Sequence, residues 1–105
     1  MPYIQVNERK IEVDDDGFLV DFACWDEDVL KVLAEANGIT DLNENHLKVI
    51  YYLRDYYSKY GSTPITKKLC KETGFTIIQI HNLFPAGPAY GAGKLAGLPK
   101  PSGCV

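Results

Sequence analysis

No apolar run in this chain approaches the roughly 20 residues needed to cross a bilayer. The opening Met1-Pro2-Tyr3-Ile4-Gln5 lacks the basic start and apolar stretch of a secretion signal. A cytoplasmic protein without membrane insertion is the expectation. Cysteine is scarce, at Cys24, Cys70 and Cys104, and no two form a C-x-x-C pair. With only two histidines there is no metal-ligand spacing either, so no metal site and no structural zinc are expected. Acidic residues almost vanish from the second half. Residues 1–55 hold five Lys/Arg against thirteen Asp/Glu, whereas residues 56–105 hold six lysines against Glu72 alone. That asymmetry points the second half toward an anionic or acidic partner, and two solvated faces that attract each other account for it equally well.

What is present fits one small soluble domain of 105 residues with an ordinary apolar content. Tyr3-Ile4-Gln5-Val6 and Lys10-Ile11-Glu12-Val13 alternate around Asn7-Glu8-Arg9 as a hairpin whose turn lacks glycine. Asp14-Asp15-Asp16-Gly17 closes it, and Phe18-Leu19-Val20 follows as an apolar patch. Asp26 is placed to cap a first helix that ends at Asn37-Gly38. Asn43 caps a second, from Glu44 to about Tyr60, with Leu42 and Leu47 at staple spacing and Leu47, Ile50, Leu53, Tyr57 and Tyr60 on one stripe. Its many tyrosines read as half-buried packing rather than a stacking platform. Thr63-Pro64 reads as a cap and first helical residue for a third helix, Ile65 to Thr73, closed by Gly74. Thr76 caps a fourth, from Ile77 to Phe84, cut by Pro85. The fold class is mainly α (α+β): a small orthogonal helical bundle over residues 1–84 with an N-terminal β-hairpin, then a flexible C-terminal arm over 85–105.

The arm has five glycines, four prolines and no acidic residue in twenty-one positions. Ala89 to Leu95 could form a weak helix, but Gly91 and Gly93 argue against one standing alone. Gly97 to Val105 has almost nothing to pack with, which leaves Cys104 as a thiol at the tip of a mobile tether. Free cysteine is usually buried, so this placement is unusual; a harmless tail thiol is the competing account. Cys24, between Ala23 and Trp25, and Cys70, after Leu69, read as small core residues. An exposed thiolate attacks disulfides, persulfides or oxidised sulfur and passes the group on. The seven residues from Leu98 to Cys104 span on the order of 20 Å when extended, enough to enter a deep partner pocket. Lys100 favours a thiolate or anionic adduct and the terminal carboxylate opposes it. No general base is visible, so the chain alone does not read as an enzyme.

The ending Leu95-Ala96-Gly97-Leu98-Pro99-Lys100-Pro101-Ser102-Gly103-Cys104-Val105 resembles the terminal arm of the DsrC family. The likeness extends to Asp15-Asp16-Gly17-Phe18-Leu19, Leu53-Arg54-Asp55-Tyr56-Tyr57, Leu83-Phe84-Pro85 and Gly87-Pro88. It implies a sulfur carrier and redox co-substrate, the gamma subunit of dissimilatory sulfite reductase. The resemblance further implies that the arm enters a channel of the reductase, with its alpha and beta subunits as partners, and presents its penultimate cysteine, here Cys104, to the partner's siroheme. On this likeness Lys94, Gly97, Leu98, Pro99, Lys100, Pro101 and Gly103 form the partner-binding arm, and Lys67 and Lys71 an anion or partner contact. Lys67 stands where the family often has arginine, which loses the bidentate fork. This chain binds no cofactor on that reading; siroheme and iron–sulfur clusters belong to the partner. A sulfurtransferase or a membrane thiol reductase are further partners.

Gly93 stands where members serving sulfite reduction carry a second cysteine, eleven residues before the last. Without it the arm has no internal partner for a disulfide or trisulfide. The related TusE proteins, which relay persulfide sulfur for tRNA thiolation, also keep only the last cysteine. The short stretch between Gly74 and Leu83 nevertheless fits the sulfate-reducer members. A third reading is a regulator, since Pro64 to Phe84 has helix-turn-helix form with Lys67, Lys68 and Lys71 on its first helix. Its second helix carries no Lys or Arg, only Gln79, His81 and Asn82, so nucleic-acid binding is not expected.

Overall fold

The structure, a computed structural model, describes residues 2–99. Strands β1 (Tyr3–Val6) and β2 (Arg9–Glu12) pair antiparallel with Ile4 opposite Ile11 and Val6 opposite Arg9. The missing turn glycine is replaced by Asn7, which takes φ 55°, a conformation its short polar side chain tolerates. Alternation turns Val6 and Ile11 into the core. Asp14 then organises the next turn, its Oδ1 accepting from the Asp16 and Phe18 amides at 2.9 Å each. That turn buries Phe18 and Leu19.

Helix α1 (Glu27–Ala36) follows a single 3-10 turn, Phe22–Cys24. Asp26 caps α1 by accepting from the Val29 amide at 2.9 Å and pairs with Arg9 at 2.8 Å. The Val29 hydrogen bond first, and the Arg9 interactions after it, hold the Asp26 carboxyl below the usual carboxylate range. Its contribution to stability is therefore complete above the unfolded carboxylate pKa, about 4, and is lost as pH falls through the lowered folded value. Asp26→Asn keeps a capping oxygen but no charge. Urea midpoints measured against pH should show the wild type exceeding this variant at neutral pH, with the gap closing in acid. A gap that does not change with pH would contradict the assignment.

Helix α2 (Glu44–Tyr60) opens on a capping box between Asn43 and His46 and ends at Gly61, φ 68°. His46 Nδ1 accepts from the Asn43 amide at 3.2 Å, so its Nε2 carries the proton given to the Leu83 carbonyl at 2.9 Å. That bond ties the start of α2 to Leu83, and the ring stands edge-on to Phe84. Ile50 and Leu53 of the expected stripe are buried, joined by His46 and Val49. Leu47 is half-buried and Tyr60 is 66% exposed, because the last turn of α2 projects beyond the elements that cover its middle.

Helix α3 (Thr66–Thr73) starts after Ile65, without a side-chain cap. Thr63 does not cap it, and Pro64 is a buried packing residue instead of the first helical position. Gly74, φ 81°, ends α3, and α4 (Ile77–Leu83) begins on the Thr76–Gln79 capping box. A fifth helical element, α5 (Pro88–Gly93), is wound as a π-helix and continues helically through Lys94 and Leu95. It packs on α2 and buries Ala92, Leu95, Ala96 and Leu98. Composition grouped these residues with the arm, but the structure puts them in the body. Glycine here serves close approach: a Cβ on Gly91 would lie 2.9 Å from that of Phe84. Tertiary packing thus offsets the poor helix propensity.

Candidate functional site

The site is the end of α5, at the C-terminal limit of the described residues. Helix α5 ends at Gly97, φ 78°, whose amide reaches back to the Lys94 carbonyl while the Leu98 amide reaches the Gly93 carbonyl, both at 3.1 Å. This is a Schellman ending, which serves two of the last carbonyls. The next two, of Leu95 and Ala96, are taken by side chains distant in sequence. Trp25 Nε1 donates to the Leu95 oxygen at 2.8 Å and Arg54 Nη1 to that of Ala96 at 2.9 Å.

Local structure explains how both donors arrive there. Trp25 closes the 3-10 turn, its amide bonding back to the Phe22 carbonyl. Arg54 lies mid-way along α2, between Tyr51 and Tyr57 at helical spacing three. Tyr51 stands edge-on to Trp25 at 5.8 Å and Tyr57 packs on Phe22 at 4.9 Å. The guanidinium carbon sits 3.9 Å from the Phe22 ring centre and 4.2 Å from that of Trp25. Nη2 lies 3.4 Å from the Phe22 oxygen. Desolvation lowers the Arg54 pKa, yet a guanidinium stays charged at physiological pH.

The expected site residues divide at this helix end. Leu98 is 1% exposed and Gly97 is buried, so neither belongs to a free arm. Lys94 is half-buried with its ammonium 5.4 Å from the Phe18 ring centre. Pro99 is exposed. Lys100, Pro101, Gly103 and Cys104 lie outside the described residues. Gly93 is buried inside α5, where a Cβ would meet only the Pro88 oxygen, at 3.4 Å. Lys67 and Lys71 are exposed on α3, with Lys68 paired to Glu72 at 3.6 Å. They are on a different element from that helix end.

Cys24 is exposed rather than a core residue, because the short 3-10 turn buries Phe22 and Trp25 more deeply and turns Cys24 outward. Its Sγ lies 3.5 Å from Asp21 Oδ2; local desolvation and then this carboxylate raise the thiol pKa. Cys24 is therefore a poor nucleophile near neutral pH. Cys70 is half-buried against the core. Among the described residues, no group of three His, Cys, Asp or Glu is placed to hold a metal, and no helix is long and apolar enough to cross a membrane. Sequence reasoning missed Trp25 and Arg54. The available signal was a lone tryptophan and an arginine set among tyrosines.

This geometry belongs to a known class. The model of the family described as DsrC like protein matches residues 5–105. The chain is 44% identical over its full length, and the relative's, to "Sulfite reductase, dissimilatory-type subunit gamma" of Nitratidesulfovibrio vulgaris. It is 36% identical over 109 positions to the "Sulfurtransferase TusE homolog" of Haemophilus influenzae, covering 97% of this chain and 99% of that one. Among solved structures, the oxidized gamma-subunit (DsrC) from Archaeoglobus fulgidus superposes with TM-score 0.90 at 43% identity, covering 99% of this chain and all of that one. A chain of dissimilatory sulfite reductase I (DsrI) does so with TM-score 0.95 at 42% identity, with the same coverage. The chain belongs to the DsrC family.

Proposed function

We propose that this protein carries sulfur on Cys104 and acts as the gamma subunit and co-substrate of a dissimilatory sulfite reductase. The carrying observation is the gripped end of α5 followed directly by Pro99-Lys100-Pro101-Ser102-Gly103-Cys104-Val105. A body ending in an anchored turn and then a short cationic, thiol-tipped segment suits delivery into a partner's channel. Siroheme and iron–sulfur clusters lie in that partner, and the alpha and beta subunits supply the channel. The chain is not an enzyme alone. Its work is in the cytoplasm, where thiols stay reduced.

The transfer chemistry is thiol exchange. The Cys104 thiolate attacks the outer sulfur of a donor persulfide, R–S–SH; a Cys104–sulfur bond forms, the donor S–S bond breaks, and R–S⁻ leaves. Cys104 then holds a persulfide. With Gly93 in place of a second thiol, release requires a thiol from another molecule.

The single arm thiol also fits a TusE-like persulfide relay, with a sulfurtransferase as donor. The reductase reading is preferred because the alignment with the gamma subunit spans 105 positions, whereas that with the TusE homolog needs 109. Parallel titrations of the full chain against purified dissimilatory sulfite reductase and against a TusE-type sulfurtransferase partner decide between them. Affinity for the reductase at least about tenfold the higher is expected. The reverse order would establish the relay, and salt-sensitive binding to duplex DNA would favour a regulator.

A further inference from the structure

We propose that Trp25 and Arg54 are positioning residues for Cys104: they grip the two carbonyls at which α5 ends and so set the point and direction of departure of the C-terminal segment. This rests on Cys104 as the sulfur-bearing residue. A continued helix would offer the Leu95 oxygen the amide of residue 99, but Pro99 has none, so that carbonyl needs an outside donor. Gly97 turns the chain out of the helix, which frees the Ala96 oxygen from any helical partner.

A surface helix end normally gives such carbonyls to water. Here they take the indole N–H of the chain's one tryptophan and a desolvated guanidinium. The fit is tight, since a Cβ at Gly97 would lie 2.9 Å from Trp25 Cδ1 and 3.1 Å from Arg54 Nη1. Burial changes within one residue, from Leu98 inside to Pro99 outside. Only five residues then lie between Leu98 and Cys104, a reach of at most about 20 Å. On so short a tether, uncertainty in the origin dilutes the thiol at its target directly.

Arg54→Lys keeps the charge and removes the fork; Trp25→Phe keeps a ring and removes the N–H. Both are made in the full chain. Amide hydrogen exchange at Gly97 and Leu98 should accelerate about tenfold or more, with the Val49 and Leu53 amides changing less than about threefold. Association with purified dissimilatory sulfite reductase should weaken about tenfold, against a control lacking residues 99–105. Unchanged exchange at 97 and 98, or an equal rise in α2, would reduce the pair to ordinary stability. Faster exchange with unchanged association would show that the grip does not position the segment. If the truncated control binds as well as the full chain, the functional reading fails, and the exchange data alone decide whether the grip exists.

Discussion

Cys104→Ser should lower sulfur transfer by on the order of a thousandfold while leaving association with the reductase within about twofold. A serine hydroxyl has nearly the same size and polarity, so contacts made by the segment's shape and cation persist. It does not ionise near neutral pH and cannot hold sulfur as a persulfide, so the exchange step has no nucleophile. Cys24 is a poor substitute, since desolvation and the Asp21 carboxylate raise its pKa. Titration and a transfer assay on the same preparations check both halves. Transfer retained within tenfold would remove Cys104 from the mechanism. Lost binding would mean that the sulfur itself makes the contact.

Gly97→Ala should cost about 2–4 kcal/mol of stability, read from denaturant midpoints at constant m-value. Two costs add. At φ 78° an L side chain pays about 1–2 kcal/mol for the left-handed conformation. The new methyl also meets Trp25 Cδ1 at 2.9 Å, Leu19 Cδ1 at 3.0 Å and Arg54 Nη1 at 3.1 Å, and those groups are held by rings and hydrogen bonds. Gly93→Ala, four residues earlier, should do the opposite and gain up to about 1 kcal/mol. Its backbone is not left-handed and its Cβ finds ordinary room beside the Pro88 oxygen. Similar losses from both substitutions would show that α5 is packed differently from this description.

Capping chemistry is local, which is why the sequence by itself determined so much. Asp26, Asn43 and Thr76 start their helices and Gly38, Gly61 and Gly74 stop them as expected, because each acts on backbone groups within four residues. The hairpin, the mainly α class and the DsrC-like ending were legible for the same reason. Tertiary structure alone decided three things. Gly91 and Gly97 suggest flexibility in one dimension; against Phe84, Trp25 and Arg54 they permit close contact, and Ala92, Leu95, Ala96 and Leu98 join the core. Cys24 lies between apolar neighbours in sequence, yet a three-residue 3-10 turn has only one inward side, and Phe22 and Trp25 occupy it. The grip joins carbonyls at 95 and 96 to donors 70 and 42 residues earlier. No local pattern encodes a pairing over such distances; it exists only once α2 and the 3-10 turn have packed around α5.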